Sequence, residues 1–283
     1  MTSSFLLFII FFFFSQCSNN FIKRKSFDIF KKNKNITYIE SHRGFNRIFP
    51  QNTIPAFKKA IENSIDGIEL DIWLTKDNVP VVVHGQIGGY LYNFYNTIWK
   101  INSLTLNEIK KLKTINGNEK MPTLEEVLII CKNKIFINIE IKDKNINKMF
   151  PILINLLEKY NMINEVHISS FIHGYYKLIK KYNEQHENKI EFGFLYYPIF
   201  MINWFKFNYP NCTLNIYYKD VTKDLVEKAH KNGMGVLAWF KMDDEENNNI
   251  YKSLFENGVD SIITNYPVEA KKFRDEYFNI NLK

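Results

Sequence analysis

The chain has 283 residues, 46% of them apolar and 24% charged, which excludes a wholly disordered polymer and provides for one large buried core or two small ones. Its net charge of +7 comes mainly from lysine, with no basic stripe interleaved with aromatics and no nucleic-acid-binding module, so nucleic acid is excluded as the expected partner. A mild attraction to anionic substrates or membrane surfaces is the use left for that charge.

The first element in chain order is an apolar run from Phe5 to Phe14, followed by small and polar residues. It is too short for the roughly 20 residues of a spanning helix, and it fits the hydrophobic and cleavage regions of a signal peptide over residues 1–17. The first residues carry no lysine or arginine, so an uncleaved anchor is the competing reading. Either way the chain is expected on the secretory route, secreted or luminal. There Cys131 and Cys212 would either bridge or remain two buried thiols, and the sequons at Asn35 and Asn211 would become acceptors for glycans. Residues 18–36 read as a polar lead-in.

From residue 37 onward strand-like and helix-like segments alternate. Strands are expected at 37–42, 67–72, 135–142, 166–170, 190–197, 213–218, 235–240 and 260–264, separated by segments with apolar residues at helical spacing, such as NTIPAFKKAIEN and VTKDLVEKAHKNG. Eight βα units of this kind imply parallel pairing and the count of a (β/α)8 TIM barrel over residues 37–283. A ninth strand, VPVVVH at 79–84, follows the second after only Thr75 to Asn78, too short a link for a parallel crossover. It must return as an antiparallel hairpin arm. With Lys76, Asp77 and Asn78 as the turn, Leu70 falls opposite His84. Residues 85–122 then form a small insertion between the second and third units.

In a barrel of this kind the functional groups gather at the C-terminal ends of the strands. His42 ends the first strand, Glu69 and Asp71 lie on one face at the end of the second, and Glu140 and Lys142 finish the third. The hairpin brings back His84, and Arg43 follows His42. Each has a bland alternative: a solvated Glu-x-Asp, a hydrogen-bonded rim histidine, an exposed Glu140–Lys142 pair contributing under about 1 kcal/mol. Their convergence points further. Three crowded carboxylates repel one another unless a cation lies among them, and oxygen donors favour a hard ion such as Mg²⁺ or Ca²⁺ over zinc.

The stretch from Ser41 to Gly85, SHRGFNRIFPQNTIPAFKKAIENSIDGIELDIWLTKDNVPVVVHG, resembles the N-terminal signature of the glycerophosphodiester phosphodiesterase family, which runs HRG, PENT with an Ala-Phe pair, DGIELDV, TKDG and VVxHD. NIEIK at 138–142, SSF at 169–171, the Trp239 strand and TNYP at 264–267 extend the likeness through most of the chain. The resemblance implies a barrel with an insertion after the second strand and metal-dependent hydrolysis of glycerophosphodiesters, such as glycerophosphocholine, to sn-glycerol 3-phosphate and an alcohol. It implies His42 and His84 as the acid–base pair, Glu69, Asp71 and Glu140 as metal ligands, and Arg43 and Lys142 as cations on the phosphoryl group. Three positions depart from the family pattern: Gly85 stands for aspartate after the second histidine, Gln51 for the glutamate of PENT, and Asn265 for aspartate near TNYP. The first would leave His84 less firmly oriented.

The apolar segment 198–210 follows the fifth strand. It reads either as a loop packed over the barrel or as a peripheral membrane contact, and the second reading would suit a lysophospholipid substrate. Trp239 and the tyrosines at 196 and 197 would stack on a choline cation, or simply fill the barrel. A catalytically inactive relative that binds phosphodiesters or lipids without turnover is the alternative from a different class.

Overall fold

A computed structural model describes residues 36–92, 95–196, 209 and 211–279. The segments read as signal peptide, nearly all of the polar lead-in, most of 198–210, and Tyr197 lie outside the described residues. Eight parallel strands form a closed ring: β1 (Tyr38–Ser41), β2 (Gly67–Leu74), β4 (Phe136–Ile141), β5 (Val166–Ser170), β6 (Glu191–Tyr196), β7 (Cys212–Tyr217), β8 (Gly235–Trp239) and β9 (Ser261–Thr264). The pairing of Ser41 with Thr264 on one side and with Ile68 on the other closes it. This is the (β/α)8 barrel expected from the strand count.

The hairpin arm is the third strand in chain order, β3 (Pro80–Val82), antiparallel to β2 with Ile72 opposite Val82 and Leu74 opposite Pro80. Carried down two rungs, that register sets Leu70 opposite His84, as the turn assignment requires. The reversal is tight because Asn78 takes the left-handed conformation at φ 62° and Thr75 accepts from the Val79 amide through its hydroxyl. On β2, β1 pairs with Gly67 and Ile68 alone, so the upper half of β2 has a free edge, and β3 occupies it. One expectation is therefore displaced: Glu69 and Asp71 lie inside an eight-residue strand prolonged by the arm, level with the end of β1, instead of at the strand's end.

Strand alternation separates two kinds of interior. Ile39, Ile68, Leu70, Ile139, Phe192 and Leu214 face outward into the main apolar core, where they meet helical residues such as Phe57 of α1 (Ile54–Glu62) and Leu128 of a helix at Leu124–Cys131. Full burial of one such side chain stabilises by roughly 1.5–3 kcal/mol. The latter helix starts at a capping box, with Thr123 and Glu126 satisfying each other's backbone amides. The alternate residues, among them Glu40, Asn138, His167, Glu191 and Asn215, point into the barrel and are fully buried. Residues 85–122 carry a small core of their own, built on Leu91, Tyr95, Ile101 and Ile109 packed against Trp73 and Val81 of the hairpin. Cys131 and Cys212 are both buried and free. Among the described residues no helix is long and apolar enough to cross a membrane.

Candidate active site

The turn after β1 sets the first side chains. Arg43 and Gly44 are consecutive left-handed residues (φ 56° and 75°), and a Cβ on Gly44 would lie 2.8 Å from the backbone and Cβ of Ala56 in α1. Glycine and alanine are both needed for the loop to press against the helix. That approach aims the Arg43 amide at Glu69 Oε2 (3.1 Å) and its Nε at Asp71 Oδ2 (3.2 Å). Nη1 donates to Gln51 Oε1 at 2.6 Å, so the amide standing where the family has glutamate still accepts from the guanidinium.

Glu69, Asp71 and Glu140 are buried, and each offers a carboxylate oxygen within 4.8 Å of the others. The β2–β4 register brings this about by setting Asp71 beside Glu140. Lys142 lies 2.6 Å from Glu140 Oε1 and 3.2 Å from Asp71 Oδ1, so the Glu-x-Lys pair is a buried shared contact. Burial, then the neighbouring Asp71, raises the Glu69 carboxyl well above its ordinary range, and burial also raises Glu140 against the pull of Lys142. Burial works in the same direction on Asp71, but Lys142 and Arg43 override it and hold this carboxyl well below the usual range. Three carboxylates thus face two fixed cations. Such a surplus of hard oxygen donors fits a divalent ion: with it and one phosphodiester anion bound, the formal charges of the site cancel.

His42 and His84 flank the cluster. Both line a cavity of about 430 Å³ together with Arg43, Glu69, Glu140 and Lys142. Burial, reinforced by Arg43, pushes His42 down to about 3 and His84 down to about 2, so both imidazoles are neutral in the free protein at neutral pH. At Gly85 the backbone is fixed from Trp73. Its indole nitrogen donates to the His84 carbonyl at 3.0 Å, and a Cβ on Gly85, at φ 64°, would sit 3.3 Å from that nitrogen and from Ile101. The crowding suits glycine, and the chain segment of His84 is held from its backbone. Trp239 lines the cavity, with Phe171 edge-on at 6.4 Å and Tyr217 tilted at 5.3 Å. Tyr196 is instead buried in the main core outside the strands, against His173 at 4.7 Å between ring centres, and does not line the cavity.

Sequence reasoning passed over two residues. Asn52, in the left-handed conformation at φ 59°, donates to Asp71 Oδ2 (2.8 Å) and accepts from the Asp71 amide (3.3 Å). Its signal was the asparagine of the PENT-like motif, overlooked because neutral amides carry no charge to attract notice. Glu246 holds Asn265, which in turn meets His42. It lies in an acidic loop with no motif of its own.

With this geometry in place, the likeness to known proteins has a physical basis. The profile of the Glycerophosphoryl diester phosphodiesterase family matches residues 42–269. A glycerophosphodiester phosphodiesterase of Caldanaerobacter subterraneus subsp. tengcongensis is 34% identical over 243 residues, covering 82% of this chain and 95% of the relative. One from Bacillus altitudinis is 30% identical over 254 residues, covering 85% and 99%. Among solved structures, an Oleispira antarctica phosphodiesterase in complex with the product sn-glycerol-3-phosphate superposes with a TM-score of 0.69 at 20% identity, covering 85% of this chain and 97% of that one. At that identity the likeness speaks for the fold. The signature of β1 and β2, the closed barrel that unites its residues on one rim and the profile spanning most of the chain agree: this protein belongs to the glycerophosphoryl diester phosphodiesterase family.

Proposed function

We propose that this chain, a phosphodiesterase by family, hydrolyses glycerophosphodiesters such as glycerophosphocholine to sn-glycerol 3-phosphate and an alcohol, with His42 and His84 as proton carriers and Glu69, Asp71 and Glu140 as ligands of Mg²⁺ or Ca²⁺. The single observation that carries this reading is the meeting of three buried carboxylates, two cations and two neutral imidazoles at one cavity. A bound divalent ion supplies positive charge against the oxygens of the phosphoryl group. Arg43 and Lys142 add theirs, which matters because negative charge grows there in the transition state. One imidazole accepts the proton of the nucleophile, either water or the neighbouring glycerol hydroxyl whose cyclic phosphate water then opens, while the other, charged in the presence of the substrate anion, donates to the departing alkoxide. The product complex of the Oleispira antarctica relative supports glycerol 3-phosphate as the kind of product.

Product analysis tests the reading: release of glycerol 3-phosphate from glycerophosphocholine, abolished by a chelator and restored by Mg²⁺ or Ca²⁺. Retention of substrate over days with either ion present would favour the binding-only relative. A second reading, lysophospholipase D-type cleavage, draws on the apolar wall that Phe171, Leu195, Trp239, Met242 and Ile263 give the cavity, which is suited to an acyl chain. Faster turnover of lysophosphatidylcholine than of glycerophosphocholine would select it. Entry to the secretory route through residues 1–17, and peripheral membrane contact through 198–210, complete the proposal on the strength of the sequence alone.

A further inference from the structure

We propose that Asn265, locked by Glu246 and the Lys241 carbonyl, is a positioning residue that holds His42 in the Nδ1–H tautomer, leaving Nε2 as the lone-pair nitrogen that serves the cavity. The His42 Nδ1 lies 2.9 Å from Asn265 Oδ1. An amide oxygen and nitrogen look alike in shape, and their assignment is settled by their partners. Here the partners leave one solution. Asn265 Nδ2 is 2.8 Å from the Lys241 carbonyl oxygen, which can only accept, and 2.7 Å from Glu246 Oε1. From the other side, Asn46 Nδ2, anchored on the His42 carbonyl at 2.7 Å, approaches Asn265 Oδ1 at 2.8 Å. The oxygen of Asn265 therefore faces His42, and an oxygen with no hydrogen of its own requires the proton on Nδ1. A neutral imidazole has one such proton.

Glu246 is what keeps the amide from turning over. Its Oε1 also takes the Asn265 backbone amide at 3.0 Å, and its Oε2 takes the Tyr251 hydroxyl at 2.9 Å as well as the Thr264 hydroxyl. The consequence for the reaction rests on the function proposed above. The proton that His42 takes up or gives back in the reaction is then exchanged at Nε2, and the imidazolium formed there still donates from Nδ1 to Asn265. An aspartate at 265 would accept from Nδ1 in the same way while adding a charge beside the ring; asparagine keeps the geometry without the charge.

The test is nitrogen-15 NMR of the full chain labelled at histidine, with the His42 signals assigned through His42→Gln. The expected spectrum at neutral pH has a protonated Nδ1 and an unprotonated Nε2. In Asn265→Leu the proton should move to Nε2, with kcat on glycerophosphocholine falling at least about 10-fold at little changed KM, within the span of acid–base effects. Glu246→Gln should give a mixture of the two tautomers, which keeps the question answerable if the leucine variant does not fold. Asn265→Asp should retain the Nδ1 proton. An Nε2–H tautomer in the wild type, or a tautomer indifferent to both Asn265→Leu and Glu246→Gln, would overturn the inference. The expected tautomers in a chain that turns over no phosphodiester would sink the proposed function and leave the positioning of His42 standing.

Discussion

Two layers of the same barrel contain buried carboxylates, and they behave differently. In the lower layer Glu40 accepts from Asn138 at 2.9 Å and from Ser261 at 2.8 Å, while Ser169 donates to Asn138 and Thr213 to Asn215. Gly193 makes room there: a Cβ at this position would lie 2.5 Å from His167 Nε2 and 2.6 Å from Asn215 Nδ2. Both oxygens of Glu40 are met by donors, so this carboxylate is a fitted part of the plug. In the upper layer Glu69, Asp71 and Glu140 have more acceptor oxygens than Arg43, Lys142, Asn52 and the Arg43 amide provide for, and burial displaces their protonation. An acid whose partners are complete is part of the scaffold, whereas a set of acids short of partners is prepared for something from solution.

Substitutions in the two layers should therefore separate turnover from stability. The largest effect is expected from Asp71→Asn, which removes the one carboxylate held ionised by both cations: steady-state assays should show glycerophosphocholine turnover reduced about 10³-fold or more in a chain still folded by circular dichroism at the assay temperature. His42→Ala should cost roughly 10²–10⁴-fold in kcat with the fold intact by circular dichroism. In the lower layer the balance reverses. Gly193→Ala should destabilise by about 1–3 kcal/mol in urea unfolding, because neither His167 nor Asn215 has space to withdraw. Glu40→Gln, which turns one acceptor into a donor facing donors, should cost about 1–2 kcal/mol while leaving turnover nearly unchanged. A loss of activity in Glu40→Gln as large as in Asp71→Asn would break the distinction between the layers.

Acid should sharpen it further. His42 and His84 are held neutral, with folded values of about 3 and about 2 against 6.5 in the unfolded chain, so the unfolded state binds more protons as the pH drops below 6.5. Stability should fall over that window, and His42→Gln should flatten the slope between about pH 6 and 4. The smallest effect belongs to the surface: Lys59 and Glu62, 3.2 Å apart and exposed on α1, should change stability by under about 0.5 kcal/mol when Lys59 is replaced by alanine.

Much of the site was legible because its parts are carried by short, rigid patterns. Glu69 and Asp71 two residues apart on a strand must share a face, and a four-residue link must reverse the chain, so His84 had to return beside them. The glycine after Arg43 and the asparagine at 78 announce turns for the same local reason, the cost of a left-handed backbone to most other residues. What stayed hidden lies in contacts between distant segments. Nothing near Glu246 in the chain says that it grips Asn265, or that Asn265 then fixes the proton of a histidine 223 positions away.

The sequence by itself determined the alternation of strands and helices, the reversal that makes the arm, and the residue types on each strand face, because backbone periodicity and sterics act over a few residues. The closed ring decided the rest. Only its curvature and register put Asp71 against Glu140 and buried both, and only there do ordinary carboxyls and imidazoles take on shifted protonation, since that depends on burial and on neighbours brought from other parts of the chain.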